Sequence, residues 1–206
     1  TVIENGINLE KFDPDKASKN IREELGFQPD DLIVGFIARL TLQKAPLDFI
    51  KSILLAHKEL PALKALIVGE GDQQEEMQAF IQAQNARSYI ITTPFRQDVP
   101  DLLHAIDIFC LPSLWEGLSI SLLEAMAMKK ALVVTPTDGT RELITHERNG
   151  LIAPFSSPEK LALCYIQYVR HPELMDKYAF VNRQIIEQRF DCRRVSEKVT
   201  ELYKTY

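Results

Sequence analysis

The chain has 206 residues, 46% apolar and 26% charged, with a formal net charge of −5, which suits one large globular domain or one domain with attached pieces. The acidic balance without a dense basic stripe argues against a nucleic-acid partner, and no apolar run is long enough to span a bilayer. Cys110, Cys164 and Cys192 are odd in number and far apart, which fits free thiols in a reducing compartment rather than a disulfide frame, and the first residues carry no signal-peptide pattern.

Residues 1 to 30 hold little strand pattern and several turn formers, among them Asn5-Gly6 and Asp13-Pro14-Asp15, and read as a linker leading into a domain. Asp13-Pro14-Asp15 has the D-x-D spacing that some sugar-transferring enzymes use for a metal. Its place in a proline-bearing linker, away from any strand end, argues against that use. Short apolar runs then alternate with amphipathic stretches. Leu32 to Ala38 reads as a buried strand, Leu47 to Leu60 as a helix closed by Pro61, and Leu63 to Val68 as the next strand. A Gly69-Glu70-Gly71-Asp72 turn precedes a helix to about Gln84. Tyr89 to Thr92 is a third strand, Val99 to Ala105 a short helix, and Ile106 to Leu111 a fourth strand. A helix running to about Met128, a fifth strand from Ala131 to Thr135 and a short sixth from Gly150 to Ala153 follow. Residues 158 to 206 are helical in pattern, and Val195, Val199, Leu202 and Tyr203 form an apolar stripe on the last helix.

Nearly continuous apolar strands separated by helices predict an α/β fold, a Rossmann-like parallel sheet covered on both faces. Ligands of such sheets bind beyond the carboxyl ends of the strands, so the loops after Ala38, Val68, Thr92 and Leu111 share one rim. Arg39 and Lys44 on that rim either neutralise a diphosphate or are solvated surface charge. Gly69 and Gly71 let a turn approach a ligand closely. There is no full G-x-G-x-x-G and no Walker lysine, so dinucleotide and P-loop readings fail. Phe95 and Arg96 either contact a flat base or form a plain turn. The four histidines show no metal-ligand spacing, and no G-x-S-x-G is present.

Two carboxylates, Glu116 and Glu124, stand in E-x7-E spacing across a loop-to-helix junction. Gly117 breaks the backbone after the first acid, Ser119 or Ser121 can cap the helix, and Glu124 is expected two turns into it. The helix start offers free N–H groups and a positive dipole end. Two hydroxyl acceptors flanking an anion site suit a ligand with hydroxyls at both ends and phosphate between, such as a nucleotide sugar. Ordinary surface acids are the alternative.

Together these pieces resemble the C-terminal, donor-binding half of GT-B glycosyltransferases of family GT4 (glycosyl transferases group 1). The similar stretches are Val2 to Phe12, Phe36 to Leu40 with Lys44, Val68 to Gly71, Phe95 to Val99, Glu116 to Ala127, and Phe190 to Tyr203. The resemblance implies an interdomain linker over 1–30, a nucleotide-sugar-binding domain over 31–188 and a crossover helix over 189–206. It implies that Arg39 and Lys44 hold the diphosphate, Glu116 the sugar hydroxyls and Glu124 the ribose, with Gly117, Leu118 and Ser119 also facing the donor. It further implies retaining transfer of a sugar to an acceptor hydroxyl, no metal or other cofactor, and an N-terminal acceptor domain without which this half is inactive. A cytoplasmic setting, with peripheral contact at the inner face of a membrane, is expected of the full-length enzyme. A non-catalytic nucleotide-sugar-binding module and a GT-B sugar epimerase are the other readings. Where the family usually has glycine after the lysine, this chain has Ala45-Pro46.

Overall fold

A computed structural model describes residues 5–204, with no side-chain account of Lys204. Six strands form one parallel sheet: β1 (Leu32–Ile37), β2 (Leu63–Val68), β3 (Ile90–Thr93), β4 (Ile108–Leu111), β5 (Ala131–Val134) and β6 (Leu151–Ile152). Their spatial order is β3-β2-β1-β4-β5-β6, so the winding reverses between β1 and β4. The strands run as unbroken apolar segments because both faces are covered. Along β1 the pleat sends Ile33 and Ile37 into one layer and Val34 and Phe36 into the other.

Helices α2 (Pro46–Glu59), α3 (Gln74–Ala83) and α7 (Pro158–Arg170) cover one face, presenting Phe49, Ile53, Met77, Leu161 and Tyr165. The other face is covered by α4 (Val99–Ala105), α5 (Ile120–Ala127) and α8 (Glu173–Arg189), through Leu102, Leu122, Met126 and Ile186. Each such aliphatic side chain, fully buried, contributes roughly 1.5–3 kcal/mol. Helix α9 (Cys192–Lys204) follows α8 after a short break. Cys110, Cys164 and Cys192 are free thiols. Among the described residues no helix is long and apolar enough to cross a membrane.

Two elements have no apolar run to announce them, α1 (Ile21–Glu24) and α6 (Asp138–Leu143). Residues 7–27 also pack closely on the sheet. Ile7, Phe12, Ile21 and Phe27 are all buried in one core layer. Ile7 donates to Phe190 O at 2.6 Å and accepts from Cys192 N at 3.0 Å, which joins this segment to the α8–α9 junction. Arg22 makes a second tie. Its guanidinium reaches Ala105 O, Asp31 O and both oxygens of Asp107, and Asp107 also accepts from Ile33 N at 2.7 Å. Asp13 caps a 3-10 turn, Pro14–Lys16, accepting from Asp15 N.

Candidate functional site

The loops leaving β1 and β2 interlock. Leu40 N donates to Glu70 O at 2.9 Å, Gln73 N to Leu40 O at 2.9 Å, and Ala38 N to Val68 O at 3.1 Å. Gly69 has φ +150°, and a Cβ there would stand 2.0 Å from Ala38 O; one on Gly71 would stand 2.2 Å from Leu40 O. The glycines therefore bring the turn against the backbone that carries Arg39. Arg39 is exposed and makes no ion pair among the described residues.

Lys44 ends a 3-10 turn, Leu42–Lys44, that leads into α2. Ala45 takes φ 51° and ψ 53°, the left-handed conformation that glycine adopts most easily, so the alanine keeps the backbone path of a glycine. Pro46 then occupies the first helical position. Lys44 is 9% exposed, and its Nζ donates to Glu116 Oε1. The same oxygen is within reach of Gln43 Nε2 at 3.4 Å and Ser113 Oγ at 3.5 Å. Gln43 also donates to Trp115 O and accepts from Leu114 N, both at 2.8 Å. The loop after β1 is thus clamped to the loop after β4. All three donors meet Oε1, and Oε2 of Glu116 keeps its acceptor capacity.

Gly117 and Leu118 lie against α6. A Cβ on Gly139 would stand 1.8 Å from Gly117 O, and Gly139 N donates to Glu116 O at 3.3 Å. Helix α6 is short, and its ends are held by side chains: Thr137 caps it, while buried Asn149 and Asn182 bond each other and Leu143 O. Ser119 stands at the N-cap of α5, but its hydroxyl makes no capping bond; it meets Ser121 Oγ at 3.2 Å instead. The first intrahelical bond is Leu123 N to Ser119 O. The amides of Ile120, Ser121 and Leu122 precede it, at the positive end of the helix dipole.

Glu124 is the fifth residue of α5, little more than one turn in rather than two. It is half-buried, and burial pushes its carboxyl up to about 7, an effect that the charge of Lys11 opposes. Glu124 and Lys11 line a cavity of about 680 Å³ with Arg39, Gly69, Glu70, Phe95, Arg96, Gln97 and Val99. Phe95 is 65% exposed. The guanidinium of Arg96 is occupied: it donates to both oxygens of Asp98, at 2.9 and 2.7 Å, and to both of Glu24. These carboxylates hold its proton more firmly than usual, and Arg96 holds the Asp98 carboxyl well below the usual range. Arg96 therefore braces the wall of the cavity, while Phe95 and Gln97 keep free surface toward it.

Of the residues singled out in the sequence, the cavity gathers Arg39, Gly69, Phe95, Arg96 and Glu124. Lys44, Gly71, Glu116, Gly117, Leu118 and Ser119 are outside its lining, in the interlocked loops beside it. Lys11 and Gln97 had not been singled out. For Lys11 the available signal was a cation directly before an isolated aromatic in a turn-forming segment. Among the described residues no three His, Cys, Asp or Glu side chains converge as a metal site.

A family model described as glycosyl transferases group 1 matches residues 17–183. The chain is 27% identical over 207 residues to a UDP-Gal:alpha-D-GlcNAc-diphosphoundecaprenol alpha-1,3-galactosyltransferase of Escherichia coli, covering 98% of this chain and 53% of that protein. The structure of Anabaena Alr3699/HepE in complex with UDP and glucose matches with a TM-score of 0.90 and 25% identity, over 100% of this chain and 57% of that one. The C-terminal domain of a glycosyl transferase group 1 family protein (LpcC) from Francisella tularensis matches with a TM-score of 0.77 at 22% identity, over 90% of this chain and 99% of that one. The chain spans about half the length of the curated relatives it matches.

Proposed function

The chain belongs to the glycosyl transferases group 1 family, and from that premise we propose that it is the donor-binding half of a retaining, metal-independent glycosyltransferase. The substrate is a nucleotide sugar, and the acceptor is a hydroxyl of a glycan, a lipid-linked glycan or another molecule. One observation carries the reading. At the winding reversal, a cavity beyond the carboxyl ends of the strands is lined by Arg39 from the β1 loop and Glu124 from the E-x7-E helix, and a buried Lys44–Glu116 pair ties the same two regions together.

In this reading the ribose hydroxyls donate to Glu124, and the base lies toward Phe95 and Gln97. Arg39 and the remaining Nζ protons of Lys44 face the diphosphate, and Oε2 of Glu116 accepts from the sugar hydroxyls. As the glycosidic bond breaks, charge grows on the leaving diphosphate. Fixed cations and the helix-start amides near Leu118 and Ser119 stabilise that charge without reorganising at the moment of reaction. The Lys44–Glu116 pair keeps the two groups in register before the donor arrives. The acceptor is bound by the other half of the enzyme, outside these 206 residues, so the 206 residues alone bind donor without turning it over.

The test is calorimetry with UDP, GDP, ADP and their sugar conjugates in excess chelator. One of these is expected to bind, and binding that appears only with magnesium or manganese rejects metal independence. Turnover by this chain alone, with donor and an acceptor, rejects the division of labour.

A further inference from the structure

We propose that Lys11, on the segment leading into the domain, is a donor-binding residue: it supplies the second uncommitted cation facing the diphosphate. The inference rests on the donor-site reading above and adds to it a contact from outside the sheet's own loops. It begins with the charges around the cavity. Two carboxylates line it, Glu70 and Glu124, and three cations, Lys11, Arg39 and Arg96. Arg96 is bound on both sides by Asp98 and Glu24, and Lys44, outside the lining, is already paired with Glu116. Without Lys11, Arg39 would be the one lining cation free of an ion pair against two carboxylates, helped only by the remaining Nζ protons of the Glu116-paired Lys44, a poor receptor for a multiply charged anion. Lys11 redresses that balance.

The backbone of Lys11 is firmly held. Asn8 Oδ1 accepts from Glu10 N at 2.9 Å and from Lys11 N at 3.1 Å, and Asn8 O accepts from Phe12 N at 2.9 Å. Ile7 and Phe12, on either side, are buried. Arg183 clamps Phe12 O at 2.9 Å and Ala127 O, at the end of α5, at 2.7 Å. The lysine ammonium lies over the Phe12 ring, 5.4 Å from its centroid, and makes no ion pair among the described residues. A rigid base with a charged, exposed tip beside Glu124 is the arrangement of a side chain that meets a ligand.

The test uses the 206-residue chain, and as probe whichever of UDP, GDP and ADP binds the wild type most tightly, together with its nucleoside. Lys11→Ala is expected to weaken the nucleoside diphosphate on the order of tenfold or more. At about pH 9, well above the value of about 7 for Glu124, it should leave the nucleoside within about twofold: the help that the Lys11 charge gives to ionising Glu124 no longer matters there, and what is lost is the phosphate contact. Lys11→Arg should restore most of the affinity, and the unfolding temperature of both variants should match wild type. A purely structural role would weaken nucleoside and diphosphate alike. That result, or diphosphate binding by Lys11→Ala equal to wild type, overturns the assignment and leaves the donor site standing. A wild-type chain that binds none of the three diphosphates overturns both.

Discussion

Glu124 offers the sharpest test of the site's chemistry, because burial and function pull its carboxyl in opposite directions. Burial pushes it up to about 7, whereas accepting two ribose hydroxyls requires the ionised form. With a value of about 7, roughly one-tenth of the sites are ionised at pH 6 and nine-tenths at pH 8, so with the neutral acid binding about tenfold more weakly, donor affinity should rise about fivefold across that window. A nucleotide sugar is the right probe, since its diphosphate is esterified at both ends and does not titrate there. Glu124→Gln, a mimic of the neutral acid, should lie only about twofold behind the wild type at pH 6, stay flat with pH, and fall about tenfold behind by pH 8. Stability must move the other way. The folded chain holds this proton more tightly than the unfolded chain, whose ordinary value is 4.5. The stabilising contribution is therefore complete below about pH 4.5 and is lost as pH rises through about 7, by no more than about 3–4 kcal/mol. At pH 8 the ligand-free glutamine variant should melt several degrees above wild type. Calorimetric titrations at five pH values and thermal scans on the same samples give both readings. A variant that keeps the wild-type rise with pH, or that melts below wild type at pH 8, refutes the assignment.

The two acids should also separate by ligand. Glu124→Gln should weaken free nucleoside diphosphate and nucleotide sugar alike, whereas Glu116→Gln should spare the free diphosphate and weaken the sugar conjugate, as four dissociation constants on folded variants will show. Gly139→Ala places a methyl where Gly117 O already sits 1.8 Å away; it should cost about 1–3 kcal/mol in thermal unfolding and weaken the nucleotide sugar.

The sheet was legible because its strands are nearly pure apolar runs, and the observed strands fall within a residue or two of the expected ones. The register of helix α5 was less so. Glu124 lies one turn shallower than spacing implied, because Gly117 to Ser119 stay outside the helix. Helix α6 was invisible because Leu143 is its one apolar side chain, so it carries no apolar period, and its ends are set by Thr137, bonded three residues on, and by Asn149, bonded back to Leu143 O. The lead-in looked structureless because Ile7, Phe12, Ile21 and Phe27 fit neither a helical nor a strand period, yet each enters the core. Pairings defeated local reading altogether. That Lys44 would meet Glu116, or Arg96 would be taken up by Glu24, depends on which loops the topology makes neighbours.

The winding reversal has a consequence for how the site comes into being. Strands β1, β2 and β3 pair in chain order, as do β4, β5 and β6. Among the described strands a single seam joins the two triplets, and its ladder registers only Val34 with Ile108 and Gly35 with Phe109. Arg39 and Lys44 belong to the first triplet, Glu116 and Glu124 to the second. On a growing chain the cations are therefore made before their acids exist, and the receptor appears only when the loop between β1 and β4 closes. Once formed, it straddles the shortest of the central ladders. A donor gripping both triplets is a rivet through that seam, and its binding energy goes directly into resisting the sub-global opening that would part them.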